Sequence, residues 1–192
     1  MAYYFNRKST KIYWFVKLSN NLAWFFRRFT NWYFDRVLFN IMNKTKLFEI
    51  RELSENDFLN WKTLWKQYLE FYQTSVEDLV YEITFKRLIS SNHLSQNALV
   101  ANEDKNLIGL VHFIYHSHNW KIEDVCYLQD LFVSPTLRGT GVGRALIEAV
   151  YSDADKNKTS TVYWLTQDSN QQARKLYDNI GSVTSFIKYN RH

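Results

Sequence analysis

The segment that most constrains this chain is residues 134–143, Ser-Pro-Thr-Leu-Arg-Gly-Thr-Gly-Val-Gly, which holds the only proline and three of the five glycines. Breakers are otherwise nearly absent, so the backbone is forced to turn here and can run in regular elements elsewhere. Upstream, the run from Val125 to Val133 reads as a strand. Downstream, Val142, Leu146, Ile147 and Val150 mark one face of a helix that ends near Asp153. A strand, a glycine-rich turn and a helix in succession gather unpaired backbone N–H groups at the positive end of a helix dipole, which suits a phosphate or pyrophosphate. Arg138 and Arg144 add side-chain charge. The nucleotide-hydrolase loop Gly-x-x-x-x-Gly-Lys-Ser/Thr is absent, and Arg144 stands where a dinucleotide fingerprint needs its third glycine.

Around this segment the pattern predicts the order βααβββαβα. Residues 47–51 alternate as a short strand. Ser54 stands at a helix cap, followed by Phe58, Trp61, Leu64, Trp65, Tyr68, Leu69 and Tyr72 at helical intervals. Ser75 with Asp78 suggests a second capped helix carrying Leu79, Ile83 and Leu88. Residues 98–101 and 107–115 flank the polar cluster 102–106, the pattern of an antiparallel hairpin. Thr161 to Leu165 reads as a strand, Ala173, Leu176 and Tyr177 as a short helix, and Ser185 to Tyr189 as a final strand. The mixture implies an α/β (α+β) fold, a sheet with helices on both faces.

Charge and aromatic content divide the chain near Met42. Residues 1–46 hold nine basic residues and one acid, a local +8, against 15 basic and 18 acidic residues afterwards, a local −3. Fourteen of the 34 aromatics fall in the first 41 residues. The overall positive charge therefore does not argue for a nucleic-acid partner of the remainder. No apolar run in the leader approaches the roughly 20 residues of a membrane span. Two expectations stand for residues 1–41: upstream translated sequence, with Met42 the working start, or an amphipathic helix with Leu22, Phe25, Phe26, Phe29, Trp32 and Tyr33 laid on an anionic membrane. One cysteine, Cys126, excludes an intramolecular disulfide and points to a reducing compartment, the cytoplasm.

At Arg138-Gly139-Thr140-Gly141-Val142-Gly143 the sequence resembles the Arg/Gln-x-x-Gly-x-Gly/Ala signature of the GNAT superfamily of N-acetyltransferases. The strand Tyr127-Leu128-Gln129-Asp130-Leu131-Phe132-Val133, the run Tyr163-Trp164-Leu165-Thr166 and the closing Asn170-x-x-Ala173-Arg174-Lys175-Leu176-Tyr177 agree with it. The resemblance covers residues 47–192 and is nearest in motif to diamine, polyamine and fungal histone/polyamine acetyltransferases. It implies a mostly antiparallel central sheet and acetyl-CoA as cosubstrate, with no metal. Arg138, Gly139, Thr140, Gly141, Val142, Gly143 and Arg144 would hold the pyrophosphate, with Asn170 and Ala173 as further contacts. A backbone N–H among Leu131, Phe132 and Val133 would polarise the acetyl carbonyl, and Tyr177 would protonate the leaving sulfur.

For the base, diamine acetyltransferases carry Glu-Asp where this chain has Gln129-Asp130, so Asp130 remains the candidate. In a regular strand the two face opposite sides, but enzymes of the resembled family often bulge this strand beside the cofactor, which leaves open which of the two side chains reaches the acceptor. Gln129, Glu123 and Asp124 are the expected acceptor contacts. Of His112, His116 and His118, the pair His116 and His118 lie two apart without a third ligand nearby, so solvated loop histidines are expected rather than a zinc site, and one of the three could relay the amine's proton. The implied reaction is direct acetyl transfer to a small amine or polyamine in a ternary complex. The alternatives are a protein N-terminus or lysine as acceptor, and a non-catalytic acyl-CoA-binding or membrane- or nucleic-acid-associated protein. A homodimer is compatible with the sequence.

Overall fold

The computed structural model describes residues 48–92 and 95–191, and the unit Phe48–His192 is built on one five-stranded sheet. The strands β1 (Glu49–Glu52), β2 (Gln96–Glu103), β3 (Asn106–His116), β4 (Val125–Val133) and β5 (Val162–Trp164) lie side by side in chain order. The first three junctions are antiparallel, and β4 pairs with β5 in parallel. The β2–β3 hairpin closes through Asp104 and Lys105 at φ 45° and 71°. Two successive left-handed residues give the turn whose twist matches that of the strands.

Helices cover both faces, as the sequence predicts. On one face, α1 (Phe58–Phe71) and α2 (Asp78–Leu88) bury Trp61, Leu64, Trp65, Tyr81 and Phe85 against Ala98, Val100, Leu110 and Phe132 of the sheet. On the other, α3 (Val142–Lys156) buries Val142, Leu146, Ile147 and Val150 against Val111, Phe113, Cys126 and Leu128. A short helix, α4 (Gln171–Tyr177), follows β5. Gly109 of β3 sets how closely α3 approaches. A Cβ there would lie 3.1 Å from Leu146 Cδ1, Val142 Cγ1 and the Phe132 carbonyl oxygen, so the missing side chain lets the first turns of α3 settle on the sheet.

The entry to α1 is fixed by charge. Arg51 of β1 grips Asp57 through two hydrogen bonds of 2.6 and 2.9 Å, and the Ser54 amide and hydroxyl each donate to Asp57 Oδ2 at 2.8 Å. Ser54 thus caps a 3-10 turn, Glu55–Asp57, that runs straight into α1. The second cap falls elsewhere than expected. Glu77, not Ser75, precedes α2, and its side chain makes no capping bond.

The final strand is also absent: residues 182–191 carry no strand, and Val183, Phe186, Ile187 and Tyr189 are exposed. Alternation along a segment shows what a strand could bury, and pairing additionally needs a sheet edge in register with it. The expectations for residues 1–41 lie outside the described residues. Among the described residues no helix is long and apolar enough to cross a membrane.

Candidate active site

The site begins with one residue too many in β4. Phe113 pairs with Leu128 and His112 pairs with Asp130, so Gln129 has no partner across the ladder and forms a β-bulge. In an uninterrupted strand Leu128 and Asp130 would share a face. Here Leu128 packs against the α3 side, whereas Asp130 and Phe132 turn to the α1 side.

The backbone is redirected too. Before the bulge, the Cys126 amide donates to Thr161 next to β5; after it, the Ser134 amide donates to Ile108 of β3. Alternation back from Ser134 directs the Phe132 amide to β3 and the Leu131 and Val133 amides away from it. Pairing with β5 ends at Leu128 opposite Trp164, so these two backbone positions face open space where the strands part.

That space is a cavity of about 430 Å³ bounded by β4, the glycine loop, α1 and α4. Its floor includes Leu131, Phe132 and Val133, and its rim includes Arg138, Gly139, Gly141, Gly143 and Arg144. Gly139 and Gly141 adopt φ 82° and 94°, and no atom lies within 4 Å of a Cβ built at either. Backbone conformation rather than crowding requires glycine at both. Gly141 is the N-cap of α3, whose first turn leaves its N–H groups without intrahelical partners. Arg138 donates from Nε to the Val133 carbonyl at 3.3 Å and lies 5.6 Å from the ring centres of both Phe71 and Phe132. Arg144 is half-exposed beside Glu148 at 3.6 Å. The loop therefore offers an anion a helix N-terminus and two guanidinium groups. Thr140 turns its hydroxyl back to the Leu137 carbonyl at 2.7 Å, and the Val142 side chain belongs to the core under α3.

The opposite wall is α4. Asn170 caps it, accepting from the Ala173 amide at 3.4 Å while donating to Thr166 Oγ1 at 3.1 Å, and both Asn170 and Ala173 line the cavity. Tyr177 faces the same space with its ring edge-on to Trp164 at 5.4 Å. Burial pushes its hydroxyl up to about 12, so the phenol carries its proton at neutral pH.

The expected acceptor-side residues separate. Glu123 and Asp124 are exposed in the β3–β4 loop, where Glu123 accepts from Ser160 at 3.1 Å, and neither lines the cavity. Gln129 is exposed at the bulge. Asp130 is buried behind the cavity wall, accepting from Trp65 Nε1 at 3.2 Å and from His112 Nδ1 at 2.9 Å. Burial first, and the Asp130 charge second, hold the Tyr68 hydroxyl well above its ordinary value. Tyr68 of α1 and Tyr72, the residue that caps its C-terminus, line the cavity. In the sequence they are indistinguishable from the apolar stripe of that helix. Cys126 is buried in β4, and burial pushes its thiol up to about 12. Among the described residues, no three His, Cys, Asp or Glu side chains are grouped to hold a metal ion.

The family model described as "Acetyltransferase (GNAT) family" matches residues 59–181, which contain this whole arrangement. The chain belongs to the GNAT acetyltransferase family. This GNAT chain is 36% identical over 144 residues to D-amino-acid N-acetyltransferase HPA3 of Saccharomyces cerevisiae, spanning 74% of its own length and 89% of that relative. It is 34% identical over 74 residues to thialysine N-epsilon-acetyltransferase of Bos taurus, covering 38% of the chain and 42% of the relative. Among solved structures, AAC(6')-Iy in complex with a CoA-containing bisubstrate analog superposes with a TM-score of 0.66 at 19% identity, over 76% of this chain and 97% of that one, which shows the shared fold. The GNAT chain is accordingly an acetyl-CoA-dependent N-acetyltransferase.

Proposed function

We propose that this enzyme acetylates a primary amine on a small molecule, by direct attack on acetyl-CoA in a ternary complex. The observation that carries the reading is a single cavity of about 430 Å³ in which the glycine loop, the outward Leu131 and Val133 backbone and the Tyr177 hydroxyl converge. Acetyl-CoA supplies an activated thioester. The α3 N-terminus, Arg138 and Arg144 hold its pyrophosphate, and Asn170 and Ala173 flank its path along α4. The Leu131 or Val133 amide donates to the acetyl oxygen, where a pre-aimed donor is worth about 2.7–4 kcal/mol. Tyr177 delivers its hydroxyl proton to the departing sulfur and recovers it from solvent.

The amine arrives from the α1 side, beside Tyr68, where Asp130 lies buried as the eventual proton acceptor. Relatives named for D-amino acids and for thialysine support an amino-acid-like or diamine acceptor, and the motif likeness to polyamine enzymes supports spermidine-like amines. The buried thiol Cys126 fits a reducing, cytoplasmic setting.

The test is CoA release over a panel of spermidine, diamines, D- and L-amino acids, thialysine, aminoglycosides and short peptides. Turnover is expected with at least one small primary amine. It should fall about 100-fold or more in Tyr177→Phe, with acetyl-CoA binding kept. Turnover confined to peptides would overturn the small-molecule reading.

A further inference from the structure

Tyr177 lines the cavity, whereas the indole packed against its ring does not. Trp164 meets that ring edge-on, with centroids 5.4 Å apart and planes at 63°. Three contacts fix the indole. As the last residue of β5, Trp164 stands opposite Leu128, in the core on the α3 side of the sheet. Tyr151 of α3 lies against it at 6.4 Å between ring centres, and the Tyr151 hydroxyl donates to the Ile180 carbonyl at 2.9 Å. Gly181 closes the third side. A Cβ built there would lie 2.7 Å from Trp164 Cη2 and 3.0 Å from Cζ2, so the indole fills the space that any side chain at 181 would need. The chain reaches this position because the Ile180 and Gly181 amides both donate to the Tyr177 carbonyl, at 3.1 and 2.8 Å, winding it back at the end of α4.

Leu128 and Trp164 are also the last pair before β4 and β5 part. From this rung β4 runs on through the bulge to the Leu131 and Val133 amides, and from its other end Trp164 holds Tyr177. The donor to the acetyl oxygen and the acid for the sulfur are thus both placed from one rung of the sheet.

We propose that Trp164 is a positioning residue for Tyr177, holding the phenol where it meets the leaving sulfur. This rests on the acetyl-transfer reading above, in which the Tyr177 O–H bond breaks as an S–H bond forms on CoA and solvent returns the proton. Delivery needs the hydroxyl within hydrogen-bond reach of the sulfur, and a displacement of about 1 Å can lower such a rate about 100-fold. Binding of acetyl-CoA is expected to be far less sensitive, because the loop and the α3 N-terminus hold its pyrophosphate on the opposite wall.

A double-mutant cycle tests this, since a residue that acts only through the Tyr177 hydroxyl has nothing to act on once that hydroxyl is gone. The probe is the best small amine of the panel above, and the readouts are the single-turnover rate of acetyl transfer and the Kd of acetyl-CoA. Gly181→Ala displaces the indole without altering it. Alone it should slow transfer about tenfold or more and leave Kd within about twofold. In the Tyr177→Phe background the same substitution should change the rate by less than about twofold. Trp164→Phe removes the two atoms that the new Cβ would meet, so adding Gly181→Ala to it should have no further effect.

Equal losses from Gly181→Ala in the wild-type and Tyr177→Phe backgrounds, or a wild-type rate in Gly181→Ala alone, overturn the positioning role. If Gly181→Ala does not bind acetyl-CoA, Trp164→Phe carries the same cycle against Tyr177→Phe, and failure of both variants to bind overturns the proposal as well. Absence of wild-type CoA release with every small amine would instead bring down the small-amine reading, and a wild-type rate in Tyr177→Phe would remove Tyr177 from the chemistry. An additive cycle beside a slow Tyr177→Phe removes only the part given to Trp164.

Discussion

At the scale of single residues, the same chemical element of design serves different ends depending on what surrounds it. Gly141, the N-cap of α3, and Gly143, in its first turn, stand two residues apart, yet of the two only Gly141 has positive φ. Gly141→Ala should cost about 1–2 kcal/mol in folding stability, the penalty of a left-handed non-glycine residue, read from urea unfolding. A Cβ at Gly143 would meet Leu176 Cδ2 at 3.4 Å and Val133 Cγ2 at 3.7 Å, ordinary contacts. Gly143→Ala should therefore fold with wild-type stability and raise KM for acetyl-CoA, because its methyl occupies the cavity rim.

Asp57 gives a prediction in pH. The hydrogen bonds from Arg51 outweigh burial and, with those from Ser54, lower its carboxyl to about 2. A folded value below the unfolded one favours the carboxylate in the native state, so the stabilisation is complete above about pH 4 and drains away as pH falls through about 2. Urea midpoints measured across that range should fall less steeply in Asp57→Asn.

The residues that were legible in the sequence are those whose constraint is local. The glycines of the loop and Asn170 at its cap declare a backbone need within a few positions. Trp65, Trp61 and His112 do not, because their partners lie 18 to 65 residues away.

At the scale of elements, strands and helices were largely visible because their burial is periodic, and the bulge was not. An inserted residue leaves no compositional mark, since Gln129 is unexceptional until Phe113–Leu128 and His112–Asp130 are seen to flank it. Its effect is separable from register. Deleting Gln129 would place those two pairs in regular succession, with every flanking side chain kept on its present face, while removing the bend that parts β4 from β5. The deletion variant should keep the native circular dichroism spectrum and lose about tenfold or more in acetyl-transfer turnover, as misplacement of the Leu131 and Val133 amides demands. A deletion variant as active as the wild type would show that the bulge does not organise the site. The missing final strand is the converse case. Its period was visible in residues 185–189, but periodicity carries no information on whether β5, three residues long, offers a paired edge.

At the scale of the whole molecule, every residue assigned to acetyl transfer lies within Phe48–His192, and the mildly acidic balance of that part of the chain surrounds a concentrated basic rim of Arg138, Arg144 and Lys175. A chain beginning at Met42 should retain full turnover. Its KM for acetyl-CoA should rise with ionic strength, since the attraction between this rim and phosphate is screened over about 8–10 Å at ordinary salt. Loss of activity on removing residues 1–41 would assign the basic, aromatic leader a part in the fold or the site.

The hydrogen bonds around His112 have a practical consequence of another kind. Trp61 and Trp65 each commit an indole N–H to the network that ends on Asp130. A proton reaching that carboxylate changes what the Trp65 N–H is donating to. The side-chain resonance of a nitrogen-labelled Trp65 indole thus reports the protonation state of Asp130, read from inside the protein without any added probe.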